Sequence, residues 1–392
     1  MTLNWMERED QYTSGVYAKR PLTIVKGEGC YVYDDTGKAY LDATSGIGVA
    51  ALGHQHPQLT QAIQEQTTRI ITCSELFYND KRTELYEALN EITPDSINRF
   101  FLCNSGTEAI EAAIKAARLF TNRDKIVATQ RGFHGRSLGA LAMTWNTKYR
   151  EPFSAWLSPH INHVTYNDLE ATLDLITEET ACIVLEPIQG EAGIYPADAH
   201  YLKAVRERCD TTHTLMIVDE VQSGMGRTGK WFAFEHANIE PDIIAMAKGL
   251  AGGLSMGAIA WQGKHGQLPA SSHGSTFGGN PLACAASLAT IRAIQEEDLL
   301  NSVSKNGAIA LAALREIKHP FIREIRGQGY MIGIELRQRV SPILKQLQEN
   351  GVLVLAAGKT TLRLLPPLTM TEQQLSHVIH NIESALNDIY PQ

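Results

Sequence analysis

Two short apolar runs, Leu215–Val218 and Ile243–Met246, each lead to a residue that can do chemistry. The first ends on Asp219, and the second passes through Ala247 to Lys248. Runs of this length, flanked by charge and glycine, read as strands buried on both faces, as in a parallel sheet. In open α/β sheets the ligand crevice lies beyond the carboxyl ends of such strands. Asp219 and Lys248 are therefore expected at one crevice, from two different strands. An acid and an amine so placed suit pyridoxal phosphate. The amine can condense with the aldehyde, and the carboxylate can keep the pyridine nitrogen protonated so that the ring draws electrons. Taken alone, the pair could equally be a strand-end acid and a solvated lysine.

A second anchor is CNSGTEAIEAAIKAARLF, residues 103–120. Gly106, Ile110, Ala113, Ile114 and Ala117 fall at helical spacing, which starts a helix at Ser105-Gly106-Thr107. Free amides and the positive dipole end favour a phosphate there. The hydroxyls of Ser105 and Thr107 add donors, and Gly106 lets the backbone come close. Asn104 or Ser105 would also serve as a plain helix cap; Lys248 downstream gives the phosphate reading its weight.

DEVQSGMGRTGK (219–230) followed by AKGL (247–250) resembles the class III aminotransferases, within the fold-type I pyridoxal-phosphate enzymes. The resemblance runs from VYAKRPL near the start to LRLLPPL near the end. It leans toward the acetylornithine aminotransferase group and its relatives that act on carrier-protein-linked intermediates of lysine synthesis. It implies that Lys248 is the Schiff-base lysine and Asp219 the pyridinium partner. It implies further that Val221 and Phe133 pack on the ring, that Gln222 meets the ring's 3-hydroxyl, and that His134 lies beside the cofactor. Arg136 would grip a substrate carboxylate, a task that suits its planar fork. Arg363 would hold the α-carboxylate of glutamate or 2-oxoglutarate, with Glu191 as its mobile partner. On its residues alone, Arg363 could be a surface arginine on an edge strand. Thr276 would reach the cofactor phosphate of a neighbouring subunit, which implies a homodimer. Tyr17 matches a substrate-side tyrosine, with packing as the alternative. Ornithine aminotransferases carry a tyrosine where this chain has Ile47, which leans away from plain ornithine.

The elements that must place these residues follow from pattern. TIVKGEGCYVYDDTGKAYLDA (23–43) alternates around DDTGK and reads as a hairpin. KIVATQ (125–130) and ACIVLE (181–186) read as further strands; Glu186 ends the second, in a role that is at least structural. HGSTFGGNPLACAASLATIRAI (273–294) is a glycine-rich loop entering a long helix, and helix and strand alternate beyond residue 300. GMGRTG (224–229) fits a dinucleotide-loop spacing but no amphipathic helix follows it. GLSMG (253–257) fits a nucleophile elbow but precedes its strand instead of following one. His54 and His56 lack a third ligand nearby, so no metal is expected.

At 392 residues the chain can hold two domains with a substantial core. A hydrophobic content of 44% and a charged content of 20% are ordinary for a soluble globular protein. A net charge of −8 speaks against a general nucleic-acid partner. No run reaches the roughly 18 apolar residues of a membrane span. Met1–Gln11 lacks the apolar core of a secretory signal. Six scattered cysteines without a CxxC pair fit reduced thiols in the cytoplasm.

The expectation is an α/β, fold-type I transferase. Residues 55–280 would form a large domain around a mainly parallel, seven-stranded type of sheet flanked by helices. Residues 1–54 and 281–392 would form a small α+β domain from both ends of the chain. The activity implied is transfer of the terminal amine of an N-acylated diamino acid, N-acetylornithine, to 2-oxoglutarate in arginine biosynthesis. A carrier-linked donor of lysine biosynthesis, plain ornithine or another ω-amino acid, and a serine hydrolase through GLSMG are the alternatives.

Overall fold

A computed structural model describes residues 4–391, and the statements below concern those. In chain order the strands are β1 Ile24–Glu28, β2 Tyr31–Asp34, β3 Ala39–Asp42, β4 Ile97–Cys103, β5 Lys125–Thr129, β6 Ile161–Val164 and β7 Thr180–Leu185. There follow β8 Ile188–Gln189, β9 Tyr195–Pro196, β10 Leu215–Asp219, β11 Ile243–Met246 and β12 Gly257–Gln262. The last are β13 Ile322–Gln328, β14 Met331–Leu336, β15 Val352–Leu353, β16 Leu355–Ala357 and β17 Thr361–Leu364.

Seven of them form one sheet in the order β4-β12-β11-β10-β7-β5-β6. Only β12 runs against the others, pairing antiparallel with both β4 and β11. Every residue of β7, β10 and β11 is buried, as the unbroken apolar runs require of strands covered on both faces. One cover is the helix Gly106–Thr121. Ala109, Ala112, Ala113, Ala116 and Ala117 give it a buried stripe of small side chains, so its axis can lie close to the sheet. The sheet's crossovers place the carboxyl ends of β4, β7, β10 and β11 along one edge, and the start of β12 joins them there.

The expected hairpin is β2 and β3. Asp34 closes its turn by accepting the amides of Thr36 (3.0 Å) and Lys38 (2.9 Å). The sheet β1-β2-β3-β15 takes its last strand from the other end of the chain, where Val352 pairs in parallel with Leu41. A second small sheet, β13-β14-β17-β16, is antiparallel, and β17 is an interior strand of it. Arg363 on β17 is buried, so it is not an edge-strand surface arginine. One apolar core, from Leu41 and Leu52 through Met216 and Ile244 to Leu362 and Leu386, joins these layers.

The far end of the large sheet is fixed by charge. Asp242 precedes β11, is almost fully buried, and accepts the Met216 amide (2.9 Å), Arg206 Nη1 (2.6 Å) and His265 Nε2 (3.1 Å). Burial alone would raise its carboxyl. The His265 hydrogen bond, the Arg206 charge and the Met216 amide outweigh that and hold it well below the usual carboxylate range. Asp242→Asn should cost about 3 kcal/mol, the lower end for breaking a buried pair, since Asp210 still faces Arg206 at 2.9 Å. Because the folded-state pKa is depressed, this stability is present above the unfolded carboxyl value of about 4 and is lost as pH falls below it. Urea unfolding of both proteins at pH 7 and pH 3.5 checks this: the gap between them should narrow in acid.

Candidate active site

The strand ends enclose a cavity of about 400 Å³. Asp219 and Lys248 both line it, from β10 and from just past β11, as the two apolar runs implied. Lys248 has φ +44, a conformation uncommon for a side chain this large, where the chain turns from strand into a short helical turn. Burial holds its ammonium below the usual lysine range. Glu191 and Asp219 oppose that shift, and Arg363 adds to it. A partly neutral Nζ is what a lysine nucleophile or proton carrier needs.

Asp219 is buried and its two oxygens are already engaged. Oδ2 lies 2.7 Å from His134 Nδ1, and Oδ1 accepts the Val221 amide at 3.0 Å. An ionised carboxylate only accepts, so Nδ1 carries the proton. Burial pulls the His134 imidazole down, but the hydrogen bond and charge of Asp219, helped by Glu186, leave it above its ordinary value. His134 thus meets the cofactor site through Asp219 as well as by lining the cavity. Glu186 lies at the end of β7 and accepts the amides of Phe133 (2.9 Å) and Gly190 (3.1 Å). Burial raises its carboxyl, the Asp219 charge adds to the rise, and His134 opposes it.

Ser105 is the N-cap of the helix Gly106–Thr121; its Oγ accepts the Glu108 amide at 3.3 Å. The Glu108 carboxylate turns back to Asn104, accepting its backbone amide (2.6 Å) and side-chain amide (2.9 Å). The first amides of the helix have no intrahelical acceptor, and Ser105, Gly106 and Thr107 line the cavity there. A Cβ on Gly106 would stand 2.8 Å from Val221 Cγ1, so only glycine lets the helix end approach this wall. Thr107 Oγ1 lies 2.7 Å from Ser137 Oγ, and whichever hydroxyl accepts keeps its own hydrogen free. Phe133, Val221, Gln222 and Arg136 complete the expected lining. Amides and hydroxyls for a phosphate, an acid, an amine and two apolar side chains for a flat ring form a donor set that fits pyridoxal phosphate.

At the cavity's side Arg363 Nη1 lies 2.6 Å from Glu191 Oε1 and 3.4 Å from Gln222 Oε1. Glu191 is carried between β8 and β9, which pair as a two-stranded ribbon. Burial would raise its carboxyl, yet the Arg363 charge and hydrogen bond hold it below the ordinary value. Gly190 is required beside it: a Cβ would fall 1.9 Å from Gln222 Oε1.

Three expected residues do not line this chain's own cavity: Arg363 meets it only through Glu191 and Gln222, and Tyr17 and Thr276 lie outside it. Tyr17 and Thr276 are both exposed, Tyr17 at 79%. Ile47 also lies outside the lining, half exposed in a left-handed turn over Ser45–Gly48, while Val49 two residues on reaches the cavity. Ser255 of GLSMG lines the cavity, but among the described residues no histidine is hydrogen-bonded to it, so a serine nucleophile has no base. His54 Nε2 pairs with Asp42 (3.0 Å) and His56 Nε2 with Glu297 (2.9 Å); among the described residues no three side chains gather as metal ligands. All six cysteines are free thiols, and no helix among the described residues is long and apolar enough to cross a membrane. Sequence reasoning read Asn104 only as a possible cap, whereas its amides hold Glu108, and it passed over Tyr149, which stacks on Arg136; a lone aromatic after a turn carries no distinctive pattern.

Asp219→Asn should lower the His134 pKa, since burial then acts without an opposing carboxylate charge. An NMR titration of the imidazole, compared with the unaltered protein, checks this; an unmoved or rising pKa would count against the pairing.

The family model described as aminotransferase class-III matches residues 13–386. The LysW-aminoadipate semialdehyde transaminase of Deinococcus radiodurans is 43% identical over 390 residues, covering 99% of this chain and 91% of that protein. The acetylornithine aminotransferase of Methanosarcina mazei is 44% identical over 380 residues, with 97% and 95% covered. Among solved structures, the ornithine aminotransferase of Toxoplasma gondii superposes with a TM-score of 0.94 at 29% identity, covering 98% of this chain and 93% of that one.

Proposed function

The chain belongs to the class-III aminotransferases, and from that premise we propose that it moves the terminal amine of an N-acylated diamino acid, N-acetylornithine, to 2-oxoglutarate. Its cofactor is pyridoxal phosphate, and the products are the semialdehyde and glutamate. The observation that carries the reading is the unequal state of two arginines. Arg363 is neutralised by Glu191 at 2.6 Å, whereas Arg136 has no carboxylate partner among the described residues. Such a pair suits two half-reactions that must bind different carboxylates.

Pyridoxal phosphate, when bound, supplies an electron sink that lets a C–H bond beside the bound nitrogen ionise. The chain's own residues do the rest. Lys248 Nζ would hold the cofactor at rest and, when free, would carry the proton that the reacting carbon gives up, as general acid and base. Asp219, fixed by His134, would keep a proton on the ring nitrogen. Ser105, Gly106 and Thr107 would hold the phosphate, Phe133 and Val221 would cover the ring, and Gln222 would meet its 3-hydroxyl. Arg136 takes the far carboxylate of the donor. An unpaired Arg363 would then be an uncompensated buried charge beside the reacting amine, and Glu191 cancels it. When glutamate or 2-oxoglutarate enters, Glu191 swings away and Arg363 binds the α-carboxylate.

A carrier-linked donor of lysine synthesis is the second reading. Relatives named for either donor stand at about the same identity, 43% and 44%. Both donors have an acylated α-amine, so Arg136 faces a carboxylate and an amide with no ammonium beside them. The step would serve arginine or lysine synthesis, and the free thiols fit a cytoplasmic setting.

A homodimer belongs to the same proposal. Leu76, Phe77 and Tyr78 are strongly exposed, and Phe277 beside Thr276 is exposed too. Buried Arg82 ties the two segments together, donating to the carbonyls of Cys73 (2.6 Å), Phe77 (3.0 Å) and Gly279 (3.1 Å). The apolar strip and Thr276 therefore share one surface, suited to burial against a second copy. In that arrangement Thr276 reaches the partner's phosphate, and Tyr17 comes to the substrate side.

Lys248→Ala should still bind cofactor but lose turnover by several orders of magnitude, since the proton carrier is gone; stopped-flow spectra of the cofactor check both parts. For the donor, N-acetylornithine should exceed ornithine in kcat/KM by at least about tenfold, the worth of one charge-assisted hydrogen bond of roughly 1.5–3 kcal/mol. In single-turnover assays Arg136→Ala should damage mainly the donor half-reaction, and Arg363→Ala mainly the glutamate half. Equal damage to both halves would undo the division of labour.

A further inference from the structure

Arg136 is exposed at the cavity's mouth, and what holds it is aromatic. Its guanidinium carbon lies 3.4 Å from the centre of the Tyr149 ring and 5.7 Å from that of Phe133. The two rings meet edge to face, 6.4 Å apart at 87°. A guanidinium stacked on a ring has its face covered while its N–H groups stay free around the edge. That edge is the part that grips a carboxylate with two parallel hydrogen bonds.

Tyr149 does not meet Arg136 by the accident of two flexible surface chains. Its segment is bonded back to the Phe133–Arg136 loop at three points. The Trp145 amide donates to the Gly132 carbonyl (2.9 Å), the Thr144 hydroxyl donates to the Gly135 carbonyl (3.1 Å), and the same hydroxyl accepts the His134 amide (3.0 Å). Asn146 then caps the short helix Thr147–Arg150 by accepting the Lys148 amide at 3.1 Å, which presents the Tyr149 ring. The arginine, its platform and the ring-stacking Phe133 therefore form one hydrogen-bonded unit.

We propose that Tyr149 is a specificity-determining positioning residue: its ring fixes the plane of the Arg136 guanidinium so that the N–H edge meets the far carboxylate of the ω-amine donor. The proposal rests on the reading of Arg136 as the donor's carboxylate site and adds what sets the angle of that grip. It is the ring face that acts, so the hydroxyl is dispensable. Donors whose carboxylate cannot reach the fixed plane are rejected, because the arginine cannot turn to follow them.

The test compares Tyr149→Phe, Tyr149→Leu, Tyr149→Ala, Arg136→Ala and the double variant Tyr149→Ala/Arg136→Ala as holoenzymes. Tyr149→Phe should leave the donor KM nearly unchanged, whereas Tyr149→Ala and Tyr149→Leu should raise it about two- to fivefold, the range an exposed cation–π contact is worth. The kcat and the glutamate half-reaction should stay nearly unchanged, which also shows that the variants fold. The double variant should be no worse than Arg136→Ala alone, because Tyr149 acts only through that arginine. Multiplying effects, an equal loss for glutamate, or a silent Tyr149→Ala would overturn the proposal. Calorimetry with N-acetylnorvaline, which has the acylated end and no ω-amine, reads the same comparison without turnover. If the unaltered enzyme neither binds it nor uses N-acetylornithine, the donor reading falls. The Tyr149–Arg136 coupling is then decided with 5-aminovalerate, whose far carboxylate needs the same fork.

Discussion

A carboxylate buried among strand ends must be balanced or it will not stay ionised, and Asp219 is where this structure meets that demand. The 2.7 Å bond from His134 supplies a positive or polarised partner for the acid at the cavity wall. Lys248, Glu186 and Glu191 then share one small volume with it, and each has its protonation moved by burial and by the others. The strand order fixes these distances: Asp219 lies in register opposite Ala245, three residues before Lys248. The chemistry of the cavity is therefore a property of β10 and β11 being neighbours.

The two arginines are handled by different physics. Arg363 is buried on an interior strand, where an unpaired charge would be costly, and it is matched by Glu191 with Gln222 touching both. Arg136 stands at the mouth, where water tolerates its charge and aromatic faces hold its orientation. One arginine is matched by a counter-ion; the other has a ring against its face and no carboxylate partner among the described residues. Gln222 lines the cavity and touches both members of the Arg363–Glu191 pair.

Much of this was readable in the chain because its signals are local. An apolar run ending on an acid, another leading to a lysine, and a Ser-Gly-Thr turn opening an alanine-rich helix each specify an element and the atom at its end. The hairpin at DDTGK followed from the same kind of pattern, whereas the seven-stranded sheet was implied by the resemblance. What stayed hidden depends on tertiary neighbours. Whether β17 is an edge or an interior strand is not written in TTLRLL; it depends on β16 and β14 flanking it. Tyr149 is one aromatic in a polar stretch until the loop bonds bring it onto Arg136. Resemblance alone supplied Thr276 and Tyr17, and neither lines the cavity of this chain. Ile47 carried no backbone signal either: a β-branched residue at φ +68 is disfavoured by itself and persists because the turn is anchored, with Ser45 Oγ donating to the Leu365 carbonyl at 2.6 Å.

That anchor belongs to a wider feature, the joining of the two ends of the chain. Leu41 pairs with Val352, and Ser45 reaches a carbonyl 320 positions later. During synthesis the large sheet can collapse as soon as β12 has left the ribosome, but the first small sheet waits for β15, and Glu191 has no counter-charge until β17 emerges. The strands β1, β2 and β3 can pair with one another early, but the β3 edge of their sheet stays open through most of translation. A chain cut before β17 could hold the strand ends of the large sheet while lacking Arg363, the charge that faces Glu191. Quality control for this fold is vectorial: the last strands made are the ones that license the first.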